Sequence, residues 1–106
     1  MIYWRKQYQV KDLVLSGIRS NEPLHTTRRR PEIEACAEIS IKHEGEWHDL
    51  WVGHPGECHQ VLKAVTVLAR QTMLAGGDNE EIFDFLMDLP VHNTDLITEL
   101  AISWLS

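Results

Sequence analysis

The stretch from Trp47 to Gly77, WHDLWVGHPGECHQVLKAVTVLARQTMLAGG, restricts the possible folds more than any other part of the chain. It reads as a strand, a tight Gly/Pro turn and one long apolar helix. The strand ends at Val52, the segment Gly53 to Glu57 turns the chain, and Cys58 to Ala75 has helical periodicity. Val61, Leu62, Val65, Leu68, Ala69, Thr72 and Met73 make a broad apolar stripe, with Lys63, Arg70 and Gln71 outside it. Gly76-Gly77 stops the helix, as glycine does just past a helix end. The first backbone N–H groups of a helix have no partner within it. A helix start after a glycine-rich turn therefore directs the search for a ligand, an anion, to Gly53–Glu57.

The segments on either side predict an α+β domain. Before the turn, Ile33, Ala35, Ala37, Ile39 and Ile41 alternate strictly with Glu34, Cys36, Glu38, Ser40 and Lys42, a strand with one apolar face. His43-Glu44-Gly45-Glu46 is a hairpin turn with Gly45 at positive φ. The return strand, Trp47 to Val52, sets Trp47, Asp49 and Trp51 against His48, Leu50 and Val52. After the long helix, Asp78 and Glu81 have capping-box spacing, Ile82, Phe83, Phe85, Leu86 and Leu89 form a buried side, and Pro90 ends that helix. Asn93 or Thr94 caps a third helix with Asp95 in its first turn. Its apolar residues, Leu96, Ile97, Leu100, Ala101, Trp104 and Leu105, exceed what a short terminal helix buries, which points to an interface. At the N-terminus, Met1 to Val10 reads as an edge strand. Val10, Leu13, Val14 and Ile18 fall at helical spacing and predict a helix that Gly17 weakens. Together these elements give a small antiparallel sheet centred on a hairpin, packed against two to three C-terminal helices.

A chain of 106 residues makes one domain, 1–106, with a modest core. Charge is distributed unevenly. Residues 1–30 hold seven Lys/Arg and two Asp/Glu, whereas residues 71–106 hold seven Asp/Glu and no Lys or Arg. A net charge of -6 argues against binding long nucleic acid, while the basic end leaves room for a phosphate-bearing small ligand. The asymmetry equally suits docking of basic on acidic parts, within one chain or between two. Cys36 and Cys58 make no disulfide scaffold and fit a reducing compartment. No apolar run is long enough to span a membrane, and the N-terminus has no signal-peptide core. The expected location is the cytoplasm.

The chain resembles the TSCPD domain, a family of modules of about 100 residues. Such modules occur at the C-terminus of B12-dependent ribonucleotide reductases and as standalone proteins. Arg30-Pro31 stands before the first strand, as an Arg-Pro pair does in the family. The hairpin EISIKHEGEWHDLWVG and the run GECHQVLKAVTVLARQTMLAGGDNEEIFDFL are similar to the family's hairpin and Gly-led helix. Asn93-Thr94-Asp95-Leu96-Ile97 occupies the place of the naming motif Ser-Cys-Pro-Asp, of which only Asp95 is kept. The resemblance covers residues 30–106, leaving 1–29 as an N-terminal extension. No role of the motif cysteine carries over.

The residues assigned to ligand binding are Arg28, Arg29 and Arg30 for phosphate, Trp47 and Trp51 for stacking, and His54, Gly56, Cys58 and His59 at the helix start. Asn93 and Asp95 join them at the position of the naming motif. His54, Cys58 and His59 match no zinc spacing, so no metal is assigned. Cys58 at a helix start with histidines nearby has the ingredients of a thiol nucleophile, yet without the demonstrated geometry no catalytic residue and no cofactor is assigned. The expectation is a non-catalytic module that binds a nucleotide-like small molecule and forms a homo-oligomer. A phage-encoded protein that soaks up nucleotide immune signals has this size and plan. The alternatives are a ribonucleotide-reductase-associated interaction domain and a small metal- or thiol-dependent enzyme.

Overall fold

The computed structural model describes residues 3–20 and 36–105. Among these residues four strands precede three helices: β1 Tyr3–Val10, β2 Leu13–Ser20, β3 Cys36–His43, β4 Glu46–Gly53, α1 Pro55–Leu74, α2 Asn79–Met87 and α3 Thr94–Leu105. The strands form one antiparallel sheet in the order β1-β2-β3-β4. The α+β architecture with C-terminal helices is as the sequence predicts. Among the described residues no helix is long and apolar enough to cross a membrane.

The helix predicted from Val10 to Ile18 is instead the second half of a β-hairpin. Val10 pairs with Leu13 across a two-residue turn, Lys11–Asp12, and the pairing continues to Tyr3 and Ser20. The apparent helical spacing is made by the turn. Val10 and Leu13 lie three apart because two turn residues separate them. Leu15 and Gly17 then continue their face, while Val14 and Ile18 belong to the opposite one. Lys11 takes φ 52°, a left-handed conformation that usually signals itself by glycine or asparagine.

The β3–β4 hairpin turns as expected, with Glu44 at φ 53° and Gly45 at φ 82°. Both turn residues need positive φ in the turn that matches strand twist. The predicted alternation in β4 fails at one place. Ile39 pairs with Trp51 but Ser40 pairs with Asp49, so Leu50 is an extra residue in a β-bulge. Leu50 and Trp51 consequently both enter the core. Trp51 belongs with Ile39, not with Trp47 and Asp49. The second face of β3 also differs from expectation: Cys36 and Glu38 are buried although they alternate with the core residues. On that face Ser16 is buried, and among the described residues its hydroxyl has no hydrogen-bond partner.

The core lies between the sheet and α1, where Leu15, Ile39 and Ile41 meet Leu62, Val65 and Leu68. Each such side chain fully removed from water contributes roughly 1.5–3 kcal/mol of transfer free energy. Gly17 is what lets α1 lie close to β2, because a Cβ there would sit 2.8 Å from Leu62 Cδ2. At the far end of α1, Gly76 has φ 99°. Its N–H donates to Met73 O and that of Gly77 to Thr72 O, each at 3.0 Å. This pair of bonds satisfies the last carbonyls of the helix. Helix α2 then starts with the predicted capping box: Glu81 N–H donates to Asp78 Oδ1, and Asp78 N–H to Glu81 Oε1. Asn93, not Thr94, caps α3, its Oδ1 accepting from Leu96 N–H at 3.1 Å.

Candidate functional site

The turn before α1 differs from the open cradle expected of it. Pro55 is the first helical residue and has no N–H to offer. His54 caps the helix, its Nδ1 accepting from Gly56 N–H at 3.0 Å. The Glu57 N–H donates to His54 O at 3.0 Å. The donors of the first turn are thus used within the protein, and the Glu57 carboxylate stands beside them. The positive end of the helix dipole is already offset by that carboxylate.

A basic and aromatic corner lies beside this turn. Arg19 donates from Nη1 to Pro55 O at 3.2 Å. Its guanidinium stacks on the Trp4 ring at 4.7 Å, and Trp4 meets His59 edge-on at 6.0 Å. Arg19 is not among the residues assigned from sequence. On a strand it shares the face of Gly17 and points at α1. Cys58 lies below this corner with no exposed surface. Burial pushes its thiol up to about 11, opposed in part by the Arg19 charge. A thiol held protonated is the opposite of what a nucleophilic cysteine needs.

The third group is a cleft between the first turns of α1 and α3. Its volume is about 620 Å³, and its lining includes Glu57, Val91, His92, Asn93, Thr94 and Asp95. The structure therefore brings Asn93 and Asp95 to the same opening as the GHPGE turn, from residues far apart in sequence. Their convergence follows from α3 running parallel to α1, with Gln60 Nε2 bonded to Thr98 Oγ1 at 2.9 Å one turn further on.

The remaining assigned residues are elsewhere. Trp51 is in the core, where its ring packs under Gly53 so closely that a Cβ on Gly53 would fall 2.5 Å from it. It is not available to stack on a ligand. Trp47 is exposed, but it stands at the start of β4, the end of the strand away from the first turn of α1, with Lys42 Nζ 5.9 Å from its ring. Arg28, Arg29 and Arg30 lie outside the described residues.

The opposite end of the sheet holds a cluster that the sequence did not announce. His43 is buried and stacks on Phe83 at 4.3 Å. Its Nε2 lies 3.5 Å from Glu44 Oε1 and 3.2 Å from Glu80 Oε2. Among the described residues this is the one His/Asp/Glu/Cys set whose ligand-type atoms lie together, all within 4.8 Å of one another. Such a set can take a cation. It can equally act as a polar brace between the β3–β4 turn and α2, because both carboxylates already face the imidazole. Asn79 and Asp12 make a parallel brace from α2 to the β1–β2 turn, with Asn79 Nδ2 donating to Asp12 Oδ2 at 2.9 Å. His54, Cys58 and His59, neighbours in sequence, are held apart: one caps α1, one is buried and one leans on Trp4.

Compared with known proteins, the chain matches no family model, no curated protein and no solved structure. The class that the fold defines is an α+β module with a four-stranded antiparallel meander and C-terminal helices.

Proposed function

We propose that this protein is a non-catalytic binding module for a small, nucleotide-like, phosphate-bearing ligand, and that it works as a homo-oligomer. The observation that carries the proposal is the cleft of about 620 Å³ that joins Glu57 to Asn93 and Asp95. Its size is that of small-molecule sites in general. Carboxylates accept only, so Glu57 and Asp95 suit the N–H donors on a nucleobase edge and repel a bare phosphate. The phosphate then belongs on the basic side of the α1 start. Arg19 reaches Pro55 O there, two residues from Glu57. Arg28, Arg29 and Arg30 are the sequence-assigned partners for the same group. The buried, protonated Cys58 supports a binding role over thiol chemistry.

Thermal melting with a panel of nucleotides, nucleosides and inorganic phosphate tests this reading. A ligand at 100 times its Kd stabilises the folded state by about 2.7 kcal/mol, which raises Tm by roughly 10–20 °C. Nucleotides are expected to raise it, nucleosides less, and phosphate alone not at all. The Glu57→Gln/Asp95→Asn pair is expected to remove most of the shift. No shift with any nucleotide refutes the proposal. A second reading, a protein-interaction accessory of the kind that the TSCPD resemblance suggests, is favoured by the exposed apolar residues Leu74, Ile102, Trp104 and Leu105. A stable complex with a large partner, without any nucleotide response, supports it.

A further inference from the structure

The face that α1 and α3 present together is apolar in the middle and oppositely charged along its two edges. A groove of about 300 Å³ runs between the helices, walled by Ala64 and Val67 on one side and Ala101 and Leu105 on the other. Ile102 and Leu105 are 60% and 61% exposed on this face. Large aliphatic side chains at adjacent turns of one helix, exposed beside an apolar groove, mark a surface that another protein covers. Lys63 borders the groove on the α1 side. On α3, at 3.6 residues per turn, Glu99 falls about 60° beyond Ile102, on the edge away from α1. Both charged residues are exposed.

We propose that this face binds a second copy of the chain about a twofold axis parallel to α1 and α3. The proposal rests on the self-association put forward above and adds its surface and its orientation. Two copies of one face can meet about any twofold axis in their common plane, and the two limiting cases run across the helices and along them. An axis across the helices sets Lys63 over the partner's Lys63 and Glu99 over the partner's Glu99. An axis along the helices sets Lys63 over the partner's Glu99, and does so twice, while Ile102 and Leu105 from each copy enter the opposite groove. The levels differ by two residues, about 3 Å, because the helices run parallel with Gln60 opposite Thr98, and Lys63 and Glu99 stand three and one residues beyond that pair. Closed twofold pairs are the commonest assemblies, and like charges face to face are disfavoured, so the charge pattern selects the second axis. A second copy is the occupant that supplies the matching apolar strip and both complementary edges from the same sequence.

Light scattering coupled to size exclusion, and sedimentation velocity across a concentration series, test the proposal on the full chain. Wild type is expected to be dimeric, and Ile102→Glu and Leu105→Glu each to raise the dimer dissociation constant at least about tenfold. Lys63→Glu and Glu99→Lys are each expected to weaken the dimer, and the double variant to restore it. Circular dichroism on each variant checks folding, and the charge variants report even where Ile102→Glu disturbs the helix. A monomeric wild type at all concentrations overturns the self-association itself. A dimer indifferent to Ile102→Glu and Leu105→Glu leaves self-association standing and overturns this surface. Sensitivity to those two changes without charge rescue overturns the axis.

Discussion

Position 17 separates two readings of the N-terminal third by the sign of one measurement. Were Val10 to Ile18 a helix, Gly17 would stand two turns from Val10 on its apolar side, and a residue of higher helix propensity there would stabilise it, by up to about 1 kcal/mol. In the sheet, the same position faces α1. A Cβ on Gly17 would stand 2.8 Å from Leu62 Cδ2, with Cys58 Sγ and Trp4 Cζ3 both at 3.5 Å. Carbon atoms prefer about 3.5–4.0 Å, so the first contact is short by roughly an ångström. Leu62 cannot swing away, because none of its surface is exposed. Valine adds two methyl groups to the same crowded space and gains nothing from burial that it cannot reach. Overpacking of this kind costs about 1–3 kcal/mol, and Gly17→Val is expected at the upper end. With about 4–8 °C per kcal/mol for a domain of this size, Tm falls by roughly 10 °C or more. Leu62→Ala alone is expected to cost about 2–5 kcal/mol through its cavity. In the double variant the valine occupies that cavity, so the two costs fall short of their sum by about 1–3 kcal/mol. Urea denaturation of the four proteins, with the m-value as a check on cooperativity, measures this. Wild-type stability in Gly17→Val, or strict additivity in the cycle, would refute the close approach of β2 and α1.

Two further outcomes follow from the same structure. Burial raises the Cys58 thiol from 9.0 to about 11 in the folded protein. Between those values the unfolded chain loses a proton that the folded chain keeps, so this contribution is complete below about pH 9 and lost by about pH 11. The loss is on the order of 2 kcal/mol. It appears as the difference in alkaline stability between wild type and Cys58→Ala, and identical slopes for the two would contradict it. Asp78→Ala removes the acceptor for Glu81 N–H and is expected to cost about 1 kcal/mol in a thermal melt. Asp78→Ser keeps the capping box and should stay close to wild type.

Much of the fold was legible because its signals are local. The β3–β4 turn announces itself through Gly45, α1 through its apolar stripe and closing glycines, α2 through Asp78 and Glu81, and α3 through Asn93 and Asp95. Each depends on atoms a few residues apart, so sequence alone determines it. The β1–β2 hairpin was hidden for a physical reason. Its turn uses Lys11 in a left-handed conformation without glycine, and that turn mimics helical spacing. The bulge at Leu50 was hidden too, since nothing in Trp47 to Val52 says that β3 will skip a partner.

The candidate site divides in the same way. The helix start at Pro55 and the cap at Asn93 could be located from sequence. That His54 would fill the first turn of α1, that Arg19 would lie on Trp4, and that Glu57 would line the same cleft as Asp95 were decided only by the tertiary structure. The same holds for His43, which sits between Glu44 and Glu80 because α2 folds back to the β3–β4 turn. Spacing along the chain sets which backbone conformations are favourable. Which distant side chains share a cavity is set by the packing of α1 on the sheet, where Gly17 allows the close approach to β2, and by the packing of α3 on α1.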